Sequence, residues 1–390
     1  MPHPSGPKRS GGCQAGNFLE YVDALPSAQF RPSIDIEDRL TRKGPHMSLT
    51  IGLDIAKHIF QVHAVNDSGE PVVRRKLRRS EVLAFFAKLE PGVIGIEACG
   101  TAHYWGRALS ELGHEVKLMA PHYVKPYVKR SKTDAADAEA ICEAVERPTM
   151  RFVPIKTTEQ QAIQMVHRAR SMLVRQRTML VNAIRSHLAE FGLVTGLGLA
   201  KTAALVAEVL KAGEDECPIP EVARTVVRCL TQQVGLLDKQ IRRLDVELLA
   251  WHRSNAASKL LASIPGVGIV TATAIAATVP DPAYFESGRA FAAWLGLTPR
   301  ANSSGGKDRL GRITKMGSQY IRTLLVVGAT AVVRSARIKD GSWLSEWARS
   351  LLEKKPARLV TVALANKMAR VAWAVLTRGQ QFRPSLVAAG

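Results

Sequence analysis

Acidic residues are the scarce class in this sequence. Its 34 Asp and Glu face 54 Lys and Arg, giving a formal net charge of +20 and a pI near 10.1. Charge of that size governs association and not fold, and it favours a polyanionic partner. The shortage is sharpest between Glu159 and Glu190, where no acidic residue occurs while Arg168, Arg170, Arg175, Arg177 and Arg185 do. Cysteine is sparse as well. Cys13, Cys99, Cys142, Cys217 and Cys229 are odd in number and form no Cys-x-x-Cys pair, so neither a disulfide framework nor a zinc site is supported, and a reducing cytosol fits. No clean apolar run of membrane length exists: the nearest, Leu260 to Pro280, is broken by Pro265, Gly266, Gly268 and threonines. The opening residues lack the apolar core of a signal peptide, and neither a lipidation motif nor a short basic amphipathic anchor is present. Nucleic acid, not an anionic membrane, is therefore the expected partner.

A chain of 390 residues has room for two or three domains, each with its own core. Residues 1–46 are rich in Pro, Gly, Ser and charge without a sustained period, the composition of a disordered extension. A strand-like run follows directly, so Met47 is the expected natural start. Over residues 47–153 the pattern predicts a β-meander (from Leu49, His58 to Val65, Pro71 to Leu77), a helix from Ser80 to Leu89 capped by Ser80, and a strand from Val93 to Glu97. A helix from Thr101 to Leu112, a strand from Glu115 to Met119 and a helix from Thr133 complete it. Three antiparallel strands followed by alternating helix and strand is the order of a ribonuclease-H-like α/β domain.

Residues 154–256 read as helical. The acid-free stretch is a basic rod suited to a nucleic-acid backbone, with Arg168 and Arg175 among its candidate contacts. From Val222 to Arg253 a heptad runs with Val227, Val234, Ile241 and Leu248 in one register and Leu230, Leu237, Leu244 and Trp251 in the other. That spacing predicts a coiled coil, paired either within the chain or with a second subunit. Residues 257–379 predict a compact all-α domain, with Trp343, Trp347 and Trp373 in its core and a Pro-Gly-x-Gly turn after Ile264 aiming amides at phosphate. Residues 380–390 form a tail. The expected fold class is thus α/β plus all-α.

Two constellations carry chemistry. Asp54 ends the first strand, Glu97 ends the fourth, and Asp134 and Asp137 stand three apart on one helix face. Taken singly, Asp134 is a helix cap and Asp137 surface charge, whereas carboxylates that end apolar runs are costly to bury unpaired. Converging hard oxygens of this kind suit Mg²⁺, and a pair of such ions can clamp the attacking and leaving oxygens of a phosphodiester. The second constellation is the stretch from Arg300 to Arg322. It holds Arg300, Lys307, Arg309, Arg312, Lys315 and Arg322 against the single Asp308, with four glycines that let backbone approach a ligand. Ser303 and Ser304 sit at its most flexible point. Alone, this is a solvated basic loop; beside a carboxylate site it is a phosphate grip with a nucleophile.

These motifs, in this order, resemble the transposases of insertion-sequence family one hundred and ten, the bridge-RNA-guided recombinases. Gly52-Leu-Asp-Ile-Ala-Lys57, Ile96-Glu-Ala-Cys-Gly100 and Lys132-Thr-Asp-Ala-Ala-Asp-Ala138 are similar to the acidic motifs of that family's RuvC-like DEDD domain. The match continues through Ile264-Pro-Gly-Val-Gly268, Leu295-Gly-Leu-Thr-Pro-Arg300, the Ser-Ser-Gly loop and Lys315-Met-Gly317, covering about Leu49 to Arg378. The resemblance implies DNA recombination guided by a structured RNA, a metal site of Asp54, Glu97, Asp134 and Asp137, and a loop serine that forms a phosphoserine intermediate. By motif that serine is Ser304, with Ser303 as the alternative where the motif is repetitive. It also implies donor and target DNA as partners, and the heptads offer a homo-oligomer, dimer or tetramer, joined through the coiled coil. Two other classes stand beside this reading: a metal-dependent nuclease or junction resolvase whose serines only grip phosphate, and a non-catalytic nucleic-acid-binding scaffold.

Overall fold

The computed structural model describes residues 49–129, 133–212, 219–279, 281–302, 309–336 and 343–383. Residues 1–46, Ser303, Ser304 and Lys307, and the side chain of Trp343, lie outside them.

Three consecutive strands open the described chain: β1 (Thr50–Ile55), β2 (Ile59–Val65) and β3 (Pro71–Arg78). The β2–β3 turn is set by Asn66, whose Oδ1 accepts from the backbone N–H of Ser68 at 3.1 Å and of Glu70 at 2.8 Å. A short helix α1 (Val82–Phe86) leads to β4 (Val93–Glu97), then α2 (Ala102–Glu111), β5 (Glu115–Met119), α3 (Pro121–Val124), α4 (Asp134–Val145) and β6 (Phe152–Val153). The sheet runs β3-β2-β1-β4-β5-β6, with β4 parallel to β1, β5 parallel to β4, and the other neighbours antiparallel. It is a mixed sheet flanked by helices, in the expected order. The helix expected from Ser80 to Leu89 shrinks to α1, because the side chain of Glu81, not Ser80, turns back there and accepts from the Arg78 N–H at 2.7 Å.

Alternation along β1 assigns its two faces. Ile51 and Leu53 join Phe60, Val62, Phe86, Ile96 and Trp105 in a core beneath α1 and α2. Gly52 and Asp54 turn the other way, towards α4.

The middle of the chain is α5 (Thr158–Ala189), α6 (Leu199–Lys211) and α7 (Glu221–Ser254). A capping box between Thr157 and Gln160 starts α5. Helices α5 and α7 lie side by side and antiparallel, joined by Arg170 Nε to Asp245 Oδ1 and by Arg177 Nη1 to Asp238 Oδ1, each at 2.5 Å. The basic rod does not lack counter-charges, as its own sequence implied; α7 supplies them, so Arg170 and Arg177 face a helix and not a ligand. Along α7 the heptad positions Val227, Ile241, Leu248 and Trp251 are buried and Leu230, Val234, Leu237 and Leu244 half-buried, all within a single chain.

The remaining elements are α8 (Ala256–Ala262), α9 (Ile269–Thr278), α10 (Gly288–Trp294), β7 (Pro299–Ala301), β8 (Leu310–Ile313), α11 (Gln319–Ala336), α12 (Trp343–Leu352) and α13 (Ala357–Arg378). Their core of Leu261, Ile275, Phe291, Leu325, Leu364 and Met368 also takes in Leu248 and Trp251 from α7. Trp347 and Trp373 pack against it half-buried. Helix α13 has the length and composition of a membrane span, but Val360, Leu364, Met368 and Val375 place it in this core. The region is not all-α: β7 and β8 pair as an antiparallel hairpin. Strands of three and four residues, holding Pro299, Arg300, Gly311 and Arg312, are too short to show a period of two.

Candidate active site and basic surfaces

The acidic site depends on a glycine. A Cβ at Gly52 would stand 2.1 Å from the Ala138 carbonyl oxygen and 2.5 Å from the Cys142 N of α4. Only a residue with no side chain lets the helix backbone lie this close to β1. Gly95 on β4 does the same lower down, where a Cβ would meet Val145 Cβ at 2.9 Å. Helix α4 therefore rests on the sheet centre with its first turn over the end of β1. Its N-cap is Thr133, whose Oγ1 accepts from the Ala136 N–H at 3.2 Å, so Asp134 is not needed as the cap and points its carboxylate elsewhere.

That carboxylate joins two others. Ligand oxygens of Asp54, Asp134 and Asp137 all lie within 4.8 Å of one another. Glu97, at the end of the neighbouring strand β4, stands outside this triplet but within its field. The carboxyl of Asp54 is pushed up to about 6, first by burial and then by the charges of Asp137, Asp134 and Glu97. Glu97 is also raised, by burial and by Asp137. Repulsion among clustered carboxylates, of which Asp134 is exposed and Asp54 and Asp137 half-buried, is relieved by a cation, and a donor set made only of carboxylate oxygens fits a hard divalent one. Opposite Asp54 in the register stands Gln61, 7% exposed, whose Oε1 is buried without a hydrogen-bond partner among the described residues. Gln61 belongs to no motif. Its only signal in sequence is that it and His63 put polar side chains at period two along β2.

The basic stretch splits. Arg300, Arg309, Arg312 and Lys315 are exposed along the β7–β8 hairpin and its exit. Arg322 is not: at 9% exposure it donates from Nη1 to the carbonyls of Leu295 at 2.8 Å and Met316 at 2.7 Å, tying the hairpin's base to α11. Gly317 closes that base at φ 65°, where a Cβ would overlap the Trp294 carbonyl at 1.9 Å. On α5, Arg168 and Arg175 are exposed. In the Pro-Gly-x-Gly turn, Ile264 and Val267 are buried in the C-terminal core, so the turn packs helices, leaving Gly268 and Ile269 at the exposed start of α9.

A mixed sheet of this order, with carboxylates at two strand ends and on the first turn of one helix, defines the class of DEDD transposase domains with a ribonuclease-H-like fold. An IS110 DEDD transposase family model matches residues 51–192, and that of the transposase IS116/IS110/IS902 family matches residues 258–342. The chain is 48% identical over 335 residues to a putative transposase of Sinorhizobium fredii, covering 86% of each. It is 49% identical to a probable family 20 transposase of Pseudomonas aeruginosa, covering 86% of this chain and 98% of that one. With the transposase for insertion sequence element IS1328 of Yersinia enterocolitica it shares 38% identity over 87% of this chain and 99% of the relative. The chain belongs to the IS110/IS116 family of insertion-sequence transposases, enzymes of DNA cleavage and transfer. Its DEDD domain implies a divalent metal.

Proposed function

We propose that this transposase cuts and rejoins donor and target DNA of its insertion sequence through a serine-linked intermediate, guided by a structured RNA, with Mg²⁺ held by Asp54, Glu97, Asp134 and Asp137. The observation that carries the reading is the carboxylate triplet within 4.8 Å, with Glu97 in its field, in a chain of this family. Bound there, the cation supplies positive charge to phosphate oxygens. Ser304, in the segment between β7 and β8 in sequence, is the nucleophile: its Oγ–phosphorus bond forms as one strand's P–O bond breaks, the serine gives up a proton, and the departing oxygen gains one. Arg300, Lys307, Arg309, Arg312 and Lys315 offset the charge that builds on the phosphate in that step. Arg168 and Arg175 hold nucleic-acid backbone along α5.

The α5–α7 pair is the proposed coiled coil, and it also joins subunits. Met165, Met172 and Met179 support this: they are 67%, 50% and 63% exposed and recur every seven residues, an outward apolar stripe on α5. The protein acts in the bacterial cytosol.

The test is a denaturing gel of the protein with labelled element-end DNA, its transcribed flanking RNA and Mg²⁺. A covalent protein–DNA adduct is expected, lost in Ser304→Ala and kept in Ser303→Ala. An adduct that persists in Ser304→Ala moves the chemistry to Ser303 or elsewhere. Cleavage that survives in Ser304→Ala without any adduct favours the nuclease reading.

A further inference from the structure

Between Pro71 and Ser80 the sequence carries Arg74, Arg75, Lys76, Arg78 and Arg79 and no acidic residue. In the fold this run is β3, the outermost strand of the sheet, and the start of the turn after it. Alternation divides the charges. Val73 and Leu77 enter the core, and Arg75 shares their face, its guanidinium 5.6 Å from the ring centre of Phe85. Arg74, Lys76 and Arg78 occupy the opposite face, and all three are exposed.

That opposite face is the face of Asp54. Asp54 pairs with Gln61 and Gln61 with Lys76; Gly52 pairs with His63 and His63 with Arg74. Two strand spacings, about 10 Å, separate the basic row from the carboxylate strand. Helix α4 packs over β1 and β2, so the row stands at its flank, open to solvent. Glu139 of α4 is within electrostatic reach of Arg74, yet it is already paired with Lys129 at 2.6 Å. None of Arg74, Lys76 and Arg78 has an ion-pair partner among the described residues.

Past Arg78, round the edge of the sheet and on its α1/α2 face, lies a hollow of about 710 Å³ whose lining includes Arg78, Arg79, Leu83, Tyr104 and Trp105. Tyr104 is 49% exposed in its wall, and Arg79 lies 5.1 Å from the Trp105 ring centre. Arginines beside an exposed aromatic ring are the means by which unpaired nucleic acid is held: phosphates on the cations, a base on the ring.

We infer that the outer row of β3 is a track for the DNA strand that passes through the carboxylate site, and that beyond Arg78 this strand turns round the sheet edge into the hollow. Arg74, Lys76 and Arg78 hold its phosphates, and the hollow takes an unstacked base against Tyr104. The inference rests on the reading of Asp54 as part of the cleavage site. Charge on an edge strand has a second use, blocking strand-to-strand association. Either sign serves that purpose, whereas phosphate requires positive charge, and the difference gives the test.

Binding of the full-length protein to a single-stranded DNA oligonucleotide, and to RNA of the same sequence, is read by fluorescence anisotropy across a salt series. In R74E/K76E/R78E the protein is expected to stay monodisperse and folded by circular dichroism, while the log–log salt slope for DNA falls by about 2 for three lost contacts. The neutral R74Q/K76Q/R78Q reads the same slope should the reversal disturb folding, and R74K/K76R/R78K retains binding. Tyr104→Ala weakens DNA binding roughly tenfold and leaves the slope alone. An unchanged slope in both folded triple variants overturns the track, as does a loss confined to RNA. Asp54→Ala separates the two readings: it keeps affinity and slope but ends cleavage, so cleavage that persists there sinks the carboxylate site and not the track.

Discussion

Asp54 is the residue on which the site's electrostatics converge. Its carboxyl sits at about 6 against an ordinary 3.8, raised by burial and by three neighbouring carboxylates. A group whose folded value lies above its unfolded one contributes stability that is fully present below the unfolded value and lost as pH rises through the folded one. In metal-free protein, the melting temperature should therefore fall between pH 4 and pH 6 by more in wild type than in Asp54→Asn, which has no charge to lose. Above pH 6 a divalent cation finds Asp54 ionised. At a hundredfold excess over its Kd at pH 7.5, Mg²⁺ or Mn²⁺ should stabilise the fold by about 2.7 kcal/mol, seen as a rise in melting temperature larger than at pH 5, and Asp54→Asn should flatten that response. Differential scanning fluorimetry in chelator and in cation reads both. Equal cation shifts at the two pH values, or in the two proteins, would remove the metal assignment.

Among the elements, α4 turns a set of scattered acids into a site, and Gly52 is what lets it dock. Gly52→Ala places a methyl group against backbone atoms of Ala138 and Cys142 that have no rotamer to yield. Overpacking of a core costs about 1–3 kcal/mol and more where backbone must shift, so the variant should lose about 3 kcal/mol by urea unfolding. It should also lose the cation response, because Asp134 and Asp137 ride on the displaced helix. A cost below about 1 kcal/mol with the response intact would mean that α4 can dock without the close approach. The acids themselves were legible from sequence, since Asp54 and Glu97 end apolar strands and Asp134 and Asp137 share a helical face. The glycine was less so: its role is a contact between residues some ninety positions apart, and no local period records it. The same limit explains Arg170 and Arg177. Their acid-free helix looked unpaired because Asp245 and Asp238 lie on another helix. The β7–β8 hairpin escaped for the opposite reason, being local but too short to carry a pattern.

For the molecule as a whole, the excess of +20 is distributed over elements from every part of the chain. Exposed basic side chains stand on β3, at Arg168 and Arg175 of α5, and at Arg300, Arg312 and Lys315 around the hairpin. Composition announced a polyanionic partner but could not say which cations face solvent; packing removed Arg170, Arg177 and Arg322 from the candidates. If α5 and the hairpin grip the same duplex DNA, their losses should add, because they share no partner among the described residues. Each phosphate contact contributes about 0.9 to the salt slope on duplex DNA. Neutralising Arg168 and Arg175 to Gln should lower the slope by about 2, neutralising Arg300, Arg312 and Lys315 by about 3, and all five together by about 5. The slopes come from anisotropy titrations between low and moderate salt. A combined loss no larger than the hairpin's own would show that duplex DNA meets the hairpin and bypasses α5, leaving that helix to its contacts with α7.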